Sequence, residues 1–301
     1  FTNSQSIEFR SMPGGRDRLL RRAAAPEAPK ADTSHDRRKQ HLIAGESAWL
    51  QALGITNARG EPRAEMASKL RQIQKFAELL SHLLEEAKLG ASEPTLEIFD
   101  MGCGKGYLTF AVAALLGTRA RVTGIELRQP LVDSCNAIAG KCGLANLSFA
   151  AGSIQDCAMP RADVVIALHA CDTATDDAIA RGLAAGARLL VLAPCCQKEL
   201  RPQLAAPAVL ADALRHGIFQ ERQSEFITDA LRAELLEWAG YQTKVFEFIS
   251  TEHTAKNTLI AAVKVRDTRD EARAVRIREL AAFYGIRHQH LATLLGFKLL
   301  P

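Results

Sequence analysis

The run Asp100-Met101-Gly102-Cys103-Gly104-Lys105-Gly106 constrains this chain more than any other stretch. It is entered from the apolar Leu96-Glu97-Ile98-Phe99 and leaves into Tyr107-Leu108-Thr109-Phe110-Ala111-Val112-Ala113, a pattern that predicts a strand, a glycine turn and a helix in that order. Glycines two apart let the backbone approach a bound nucleoside, but a dinucleotide-binding turn wants its third glycine at position 107, which is Tyr107. Asp100 stands at the mouth of the turn, where its charge repels a pyrophosphate and attracts a cation.

A nucleoside that is cationic at an amino nitrogen and a sulfonium, S-adenosylmethionine, fits these demands better than a phosphorylated cosubstrate. The next predicted strand, Arg121-Val122-Thr123-Gly124-Ile125-Glu126, ends in an acid. About twenty residues past the turn, a carboxylate can accept protons from both ribose hydroxyls. The expected cofactor set is Asp100, Gly102, Gly104, Gly106, Tyr107 and Glu126, joined by Ser153 and Ile154 bordering the adenine, and by His169.

A chain of 301 residues, 48% of them hydrophobic, can bury one large core with extensions. No apolar run reaches the roughly eighteen residues of a membrane span, and the first thirty residues are basic and polar without a signal-peptide core. Seven scattered cysteines do not form the framework of a secreted domain, so reduced thiols and a cytoplasmic location are expected. The net charge of +4 is localised: residues 1–40 hold nine Lys/Arg and five Asp/Glu, which leaves the remainder neutral. Arg37-Arg38-Lys39 can contact phosphates or belong to a solvated linker.

The expected organisation begins with a basic tail and linker over 1–40, read as a fragment of an upstream region because the chain opens on Phe1. Within it, residues 6–10 look like a strand end, 12–15 a turn, and 23–30 an Ala/Pro linker. A helical extension over 41–94 follows, with Met66, Leu70, Ile73, Phe76, Leu79, Leu80 and Leu83 at helical spacing between Arg63 and Leu89 and Lys69, Arg71, Gln72 and Lys75 on other faces. The cofactor-binding domain spans 95–265 and a helical C-terminal extension spans 266–301, with Val275, Leu280 and Phe283 as its apolar residues.

Inside that domain, helices over 130–142, 175–185 and 206–240 alternate with strands at 147–151, 163–168, 188–192, 243–249 and 258–263. The fold class is α/β: a doubly wound, Rossmann-like, seven-stranded and mostly parallel sheet ending in an antiparallel hairpin, with helical extensions at both ends.

Ligands in such sheets bind beyond the carboxyl ends of the strands. That singles out Leu168-His169-Ala170-Cys171-Asp172, Ala193-Pro194-Cys195-Cys196 and Glu252-His253. His169, Asp172 and His253 are base candidates for methyl transfer, and Cys195 or Cys196, with Cys171, are candidates for thiolate attack on a pyrimidine. Each also has a structural reading, as a hydrogen-bonded strand-end histidine or a small core thiol. His169 and the cysteines are metal-ligand types, but no Cys-x-x-Cys pair is present and no metal ligand is assigned.

The glycine turn, the run Leu168-His169-Ala170-Cys171-Asp172-Thr173-Ala174-Thr175-Asp176, and Ala193-Pro194-Cys195-Cys196 together resemble class I S-adenosylmethionine-dependent methyltransferases. The group resembled includes the methyltransferase-like 25 proteins, the eukaryotic tRNA acceptor-stem 2'-O-methyltransferase and bacterial relatives. The resemblance covers about residues 35–265 and implies RNA, tRNA or rRNA, as substrate. It departs at Asp172, where the tRNA enzymes carry glycine, and at Gln197-Lys198, where they carry histidines; their zinc-binding regions are not found in this chain. A methyltransferase for a protein side chain or small molecule, and a non-catalytic donor-binding scaffold, are the alternatives. No oligomeric state is assigned.

Overall fold

The computed structural model describes residues 5–10, 18–23, 41–90, 95–168, 170–205, 207–248 and 258–300. Contacts divide the chain into two units, Phe1–Gln40 and His41–Pro301. In the first, β1 (Gln5–Arg10) pairs antiparallel with β2 (Arg18–Ala23), Gln5 opposite Ala23 and Arg10 opposite Arg18. The sequence reading expected β1 but not its partner: Leu19 and Leu20 are adjacent rather than alternating, so β2 has no strand period. The expected turn at 12–15 and most of the expected linker, from residue 24 on, lie outside the described residues.

The second unit opens with α1 (Ala48–Ala52) and α2 (Ala67–Glu86). The helix expected from Arg63 starts four residues later, because Glu65 takes a φ of 65° that no right-handed helix accommodates. Then come β3 (Leu96–Met101), α3 (Tyr107–Leu116), β4 (Ala120–Glu126), α4 (Gln129–Lys141) and β5 (Leu147–Ala151). The second half contains β6 (Val164–Ala167), α5 (Thr173–Ala184), β7 (Leu189–Leu192), α6 (Ala211–Leu214) and α7 (Gly217–Trp238). The chain closes with β8 (Tyr241–Glu247), β9 (Thr258–Lys264), α8 (Glu271–Tyr284) and α9 (His290–Leu294).

Seven strands form one sheet in the order β5-β4-β3-β6-β7-β9-β8. The first five are parallel, β9 runs antiparallel to β7, and β8 pairs antiparallel with β9 from Tyr241 opposite Lys264 to Glu247 opposite Thr258. This is the expected doubly wound sheet. Its connection direction reverses between β3 and β6, which opens a crevice at the strands' carboxyl ends.

Alternation along the strands divides the apolar side chains between two cores. Ile98, Val164, Ile166, Leu189 and Val191 join α1, α2, α3 and α4, with Trp49 stacked on Phe110 at 5.9 Å. Their strand neighbours Phe99, Met101, Val165, Leu190 and Leu192 join α5, α7, α8 and α9. Successive side chains along a strand face opposite sides of the sheet, so both faces are covered by helices, as continuous apolar strands require.

Two expectations need correction. The helix expected over 206–240 is broken, because His216 takes extended dihedrals (φ −89°, ψ 124°) and α7 starts afresh at Gly217. In α8, Val275 and Phe283 are exposed, and the buried stripe is Ala274, Ile277 and Ala281. Leu280, the third of the expected apolar residues, is partly buried and packs against the same core.

Candidate functional site

At the crevice, β3 delivers Asp100 and then a turn in which Gly102, Gly104 and Gly106 have φ of 73°, 58° and 70°. The turn is hung on β4: the Gly102 and Cys103 N–H groups donate to the Ile125 carbonyl at 2.9 and 3.0 Å. A side chain at Gly106 has no room, since a Cβ there would lie 2.8 Å from the Phe149 ring. Gly124 on β4 faces the same ring, with a Cβ position 2.6 Å from Phe149 Cδ1 and 2.8 Å from Cys103 Sγ. Phe149 therefore acts as the floor on which the turn rests.

A cavity of about 660 Å³ opens over this turn, lined by Asp100, Gly102, Gly104, Tyr107, Glu126, Ser153 and Ile154 from the expected cofactor set. Gly106 is absent from the lining and its role is packing against Phe149, a correction to the expectation that it touches the cofactor. His169 and His253 lie outside the described residues.

The two acids differ in setting. Asp100 is buried, accepts a 2.6 Å hydrogen bond from the Thr109 hydroxyl, and has its carboxyl pushed up to about 6 by burial, against the opposing pull of that hydroxyl. Glu126 accepts from the Gly104 N–H at 2.9 Å and from Arg128 through its N–H at 3.1 Å and its Nε at 2.7 Å. The Arg128 side-chain bond is the main reason its carboxyl is held below the usual range. Arg128 is 66% exposed, so solvent screens this pair and it can be exchanged at little cost.

The structure adds residues that the sequence reading left on polar helix faces. Lys69 and Gln72 of α2 line the cavity, Lys69 bonded to Gln72 at 2.6 Å and lying 5.5 Å from the centre of the Tyr107 ring. Burial lowers the Lys69 pKa. Asp177 of α5 also lines the cavity, bonded to Gln155 and His290 at 2.8 Å each. Only a knowledge of which helix roofs the crevice would have singled these out.

The acceptor candidates separate. Cys171 lines the cavity; Asp172, Cys195 and Cys196 do not. Asp172 has a φ of 54°, and its Oδ1 accepts the Lys198 and Glu199 N–H groups at 2.9 and 3.3 Å. This corrects its reading as a base lining the acceptor pocket: its carboxylate ties the loop after β6 to the loop after β7. The Cys195 thiol is pushed up to about 12 by burial and by the neighbouring thiols of Cys171 and Cys196, the opposite of what a thiolate nucleophile needs. The three sulfurs nonetheless converge, Cys171 to Cys195 at 3.2 Å and Cys195 to Cys196 at 3.9 Å. Adjacent parallel strands supply the convergence that a Cys-x-x-Cys pair would otherwise supply.

Beneath these loops, Arg232 of α7 is fully buried and bonds Asp176 at 2.8 and 3.1 Å, Asp229 at 3.0 Å and the Asp172 carbonyl at 2.8 Å. Asp229 in turn accepts from Gln197 at 3.0 Å. The sequence offered no signal for this network, because its members are spread over 60 residues of chain between Asp172 and Arg232.

Comparison with known proteins agrees with this geometry. Residues 68–203, a little under half of the chain, match the family model described as a methyltransferase domain. Nocamycin O-methyltransferase of Saccharothrix syringae is 36% identical over 76 residues, 25% of this chain and 27% of that protein. The chain thus matches about a quarter of that relative's length. Among solved structures, a SAM-dependent methyltransferase from Aquifex aeolicus is similar at 16% identity and a TM-score of 0.40, covering 66% of this chain and 94% of that one. TrmN from Thermus thermophilus is similar at 17% identity and a TM-score of 0.40, over 65% and 53% of the two chains. The glycine turn, both cavity acids and the converging thiols all lie inside residues 68–203, the span that matches a methyltransferase domain.

Proposed function

We propose that this chain transfers a methyl group from S-adenosylmethionine to RNA, tRNA or rRNA. The carrying observation is the cavity at the reversal point of the sheet, with Asp100 and Glu126 on either side of a bare glycine turn. In this reading Asp100 faces the donor's ammonium, Glu126 takes the ribose hydroxyls in place of Arg128, Lys69 meets the carboxylate, and Ser153 and Ile154 border the adenine. The methyl then points toward the side lined by Leu168, Ala170 and Cys171. In-line transfer needs mainly alignment, with a base where the acceptor must lose a proton; His169 and His253 are the residues to test for that role. A covalent thiolate adduct forms no part of the mechanism.

RNA as the acceptor rests on the motif resemblance to the group that includes the tRNA 2'-O-methyltransferase, and on the positive excess in residues 1–40. One observation favours a second reading: α2 roofs the cavity through Lys69 and Gln72, and its size is that of small-molecule sites, which run from about 300 to 1,000 Å³. Labelled S-adenosylmethionine, incubated with the protein and separate RNA, protein and metabolite fractions, decides between them. Label is expected in RNA and abolished by Asp100→Ala. Label confined to metabolites supports the small-molecule reading, and label confined to protein defeats both.

A further inference from the structure

The three thiols beside the donor cavity have no part in the mechanism above, yet the fold spends several buried interactions on placing them. Cys171 follows β6, and Cys195 and Cys196 follow β7. These strands are parallel neighbours in register from Val164 opposite Leu189 to Ala167 opposite Leu192, so their carboxyl ends point the same way. The three sulfurs lie within 4.8 Å of one another. A zinc ion bonded to sulfur at about 2.3 Å in a tetrahedral site separates its sulfurs by about 3.8 Å. The observed 3.2 and 3.9 Å bracket that edge, the third pair lies within 4.8 Å, and changes of up to about 1 Å in these separations bring all three sulfurs to one centre.

Disulfide formation explains the cluster less well. A disulfide between Cys171 and Cys195 requires about 2.05 Å and leaves Cys196 without a purpose. The loops are also pinned in the manner of a supported metal site. The Asp172 carboxylate, at its left-handed backbone position, joins the loop bearing Cys171 to the N–H groups just beyond Cys196. From below, Arg232 holds the Asp172 carbonyl, and Asp229 and Ser224 hold the side chain and carbonyl of Gln197.

We propose that Cys171, Cys195 and Cys196 bind one zinc ion as thiolates, with the fourth position open toward the methyl-donor cavity. Each thiol releases its proton to solvent as its Zn–S bond forms, leaving a centre of net charge minus one. Three protein ligands and an open position are the arrangement of reactive rather than purely structural zinc sites. Among the described residues no fourth ligating side chain joins the three, and the open side is that of Cys171, which is exposed and lines the cavity while Cys195 and Cys196 are half-buried. Its occupant is water or a nucleophilic acceptor atom. The inference stands whether or not RNA is the acceptor.

The test uses the full chain, reduced, freed of metal and reconstituted with zinc or cobalt(II), with elemental analysis and absorption as readouts. One metal per chain is expected, with cobalt showing thiolate charge-transfer bands and the visible bands of a tetrahedral site. Free imidazole should shift the visible bands by occupying the open position. Cys171→Ser, Cys195→Ser and Cys196→Ser should each weaken binding by roughly a hundredfold or more, and Cys142→Ser, outside the cluster, should not. Asp172→Ala should weaken it about 10- to 100-fold. Cys171→Ser, at an exposed position, keeps the test informative if a buried variant misfolds. The proposal is overturned if the reduced protein takes up no stoichiometric metal, if uptake survives loss of Cys171, if imidazole leaves the visible bands unchanged, or if a Cys171–Cys195 disulfide forms in protein that takes up no metal.

Discussion

Asp100 couples the stability of the fold to its chemistry. Its carboxyl titrates at about 6 in the native protein, against an ordinary 3.8. Between those values the unfolded chain has already lost the proton that the folded chain keeps. The contribution of Asp100 therefore favours folding at low pH and is lost as pH rises from about 4 to 6, by about 3 kcal/mol in all. Comparing denaturant unfolding of the wild type and Asp100→Asn at pH 4 and pH 7 should show the wild type losing ground by about that amount. Donor binding has the opposite dependence, since a cation prefers the ionised acid: affinity by calorimetry should rise about tenfold per pH unit below about 6 and level off above it. At Glu126, Glu126→Ala should weaken the donor by about 10- to 100-fold, the scale of one or two charge-assisted bonds, whereas Arg128→Ala should change it little.

The turn between β3 and α3 works because two neighbouring elements leave it space. Gly124→Ala leaves the strand dihedrals of β4 acceptable but drives a methyl into Phe149 and Cys103. Overpacking of this kind costs about 1–3 kcal/mol. A melting temperature lower by about 2–4 °C per kcal/mol is expected, with partial recovery when Phe149→Leu is added. Between α5 and α7, Arg232 pairs with both Asp176 and Asp229 in this cluster of buried bonds. Arg232→Leu strands two buried carboxyls and should cost about 3–5 kcal/mol, read as a shift in the urea midpoint. The positive φ of Asp172 belongs to the same device: a glycine would adopt that backbone more easily, but it would lose the bonds to the Lys198 and Glu199 N–H groups.

At the scale of the molecule, the charge excess and the cavity belong to different units. Every cavity-lining residue lies between Lys69 and Asp177, while the net positive charge comes from residues 1–40. A chain reduced to 41–301 should therefore bind the donor as the full chain does, yet bind RNA more weakly and with a shallower dependence on salt, measurable by titration at two ionic strengths. Among the described residues no helix is long and apolar enough to cross a membrane. Local pattern carried the alternation of strands and helices, the glycine turn and the two acids at the strand ends, because side-chain period and backbone permissiveness are properties of neighbouring residues. The break at His216 and the partner strand β2 escaped it, since neither has a periodic signature. Which helix roofs the cavity, that Asp172 ties two loops together, and that three thiols from the loops after two neighbouring strands converge were decided by packing across the sheet. Those contacts join residues tens of positions apart, and distance along a chain holds no information about them until the strands are ordered.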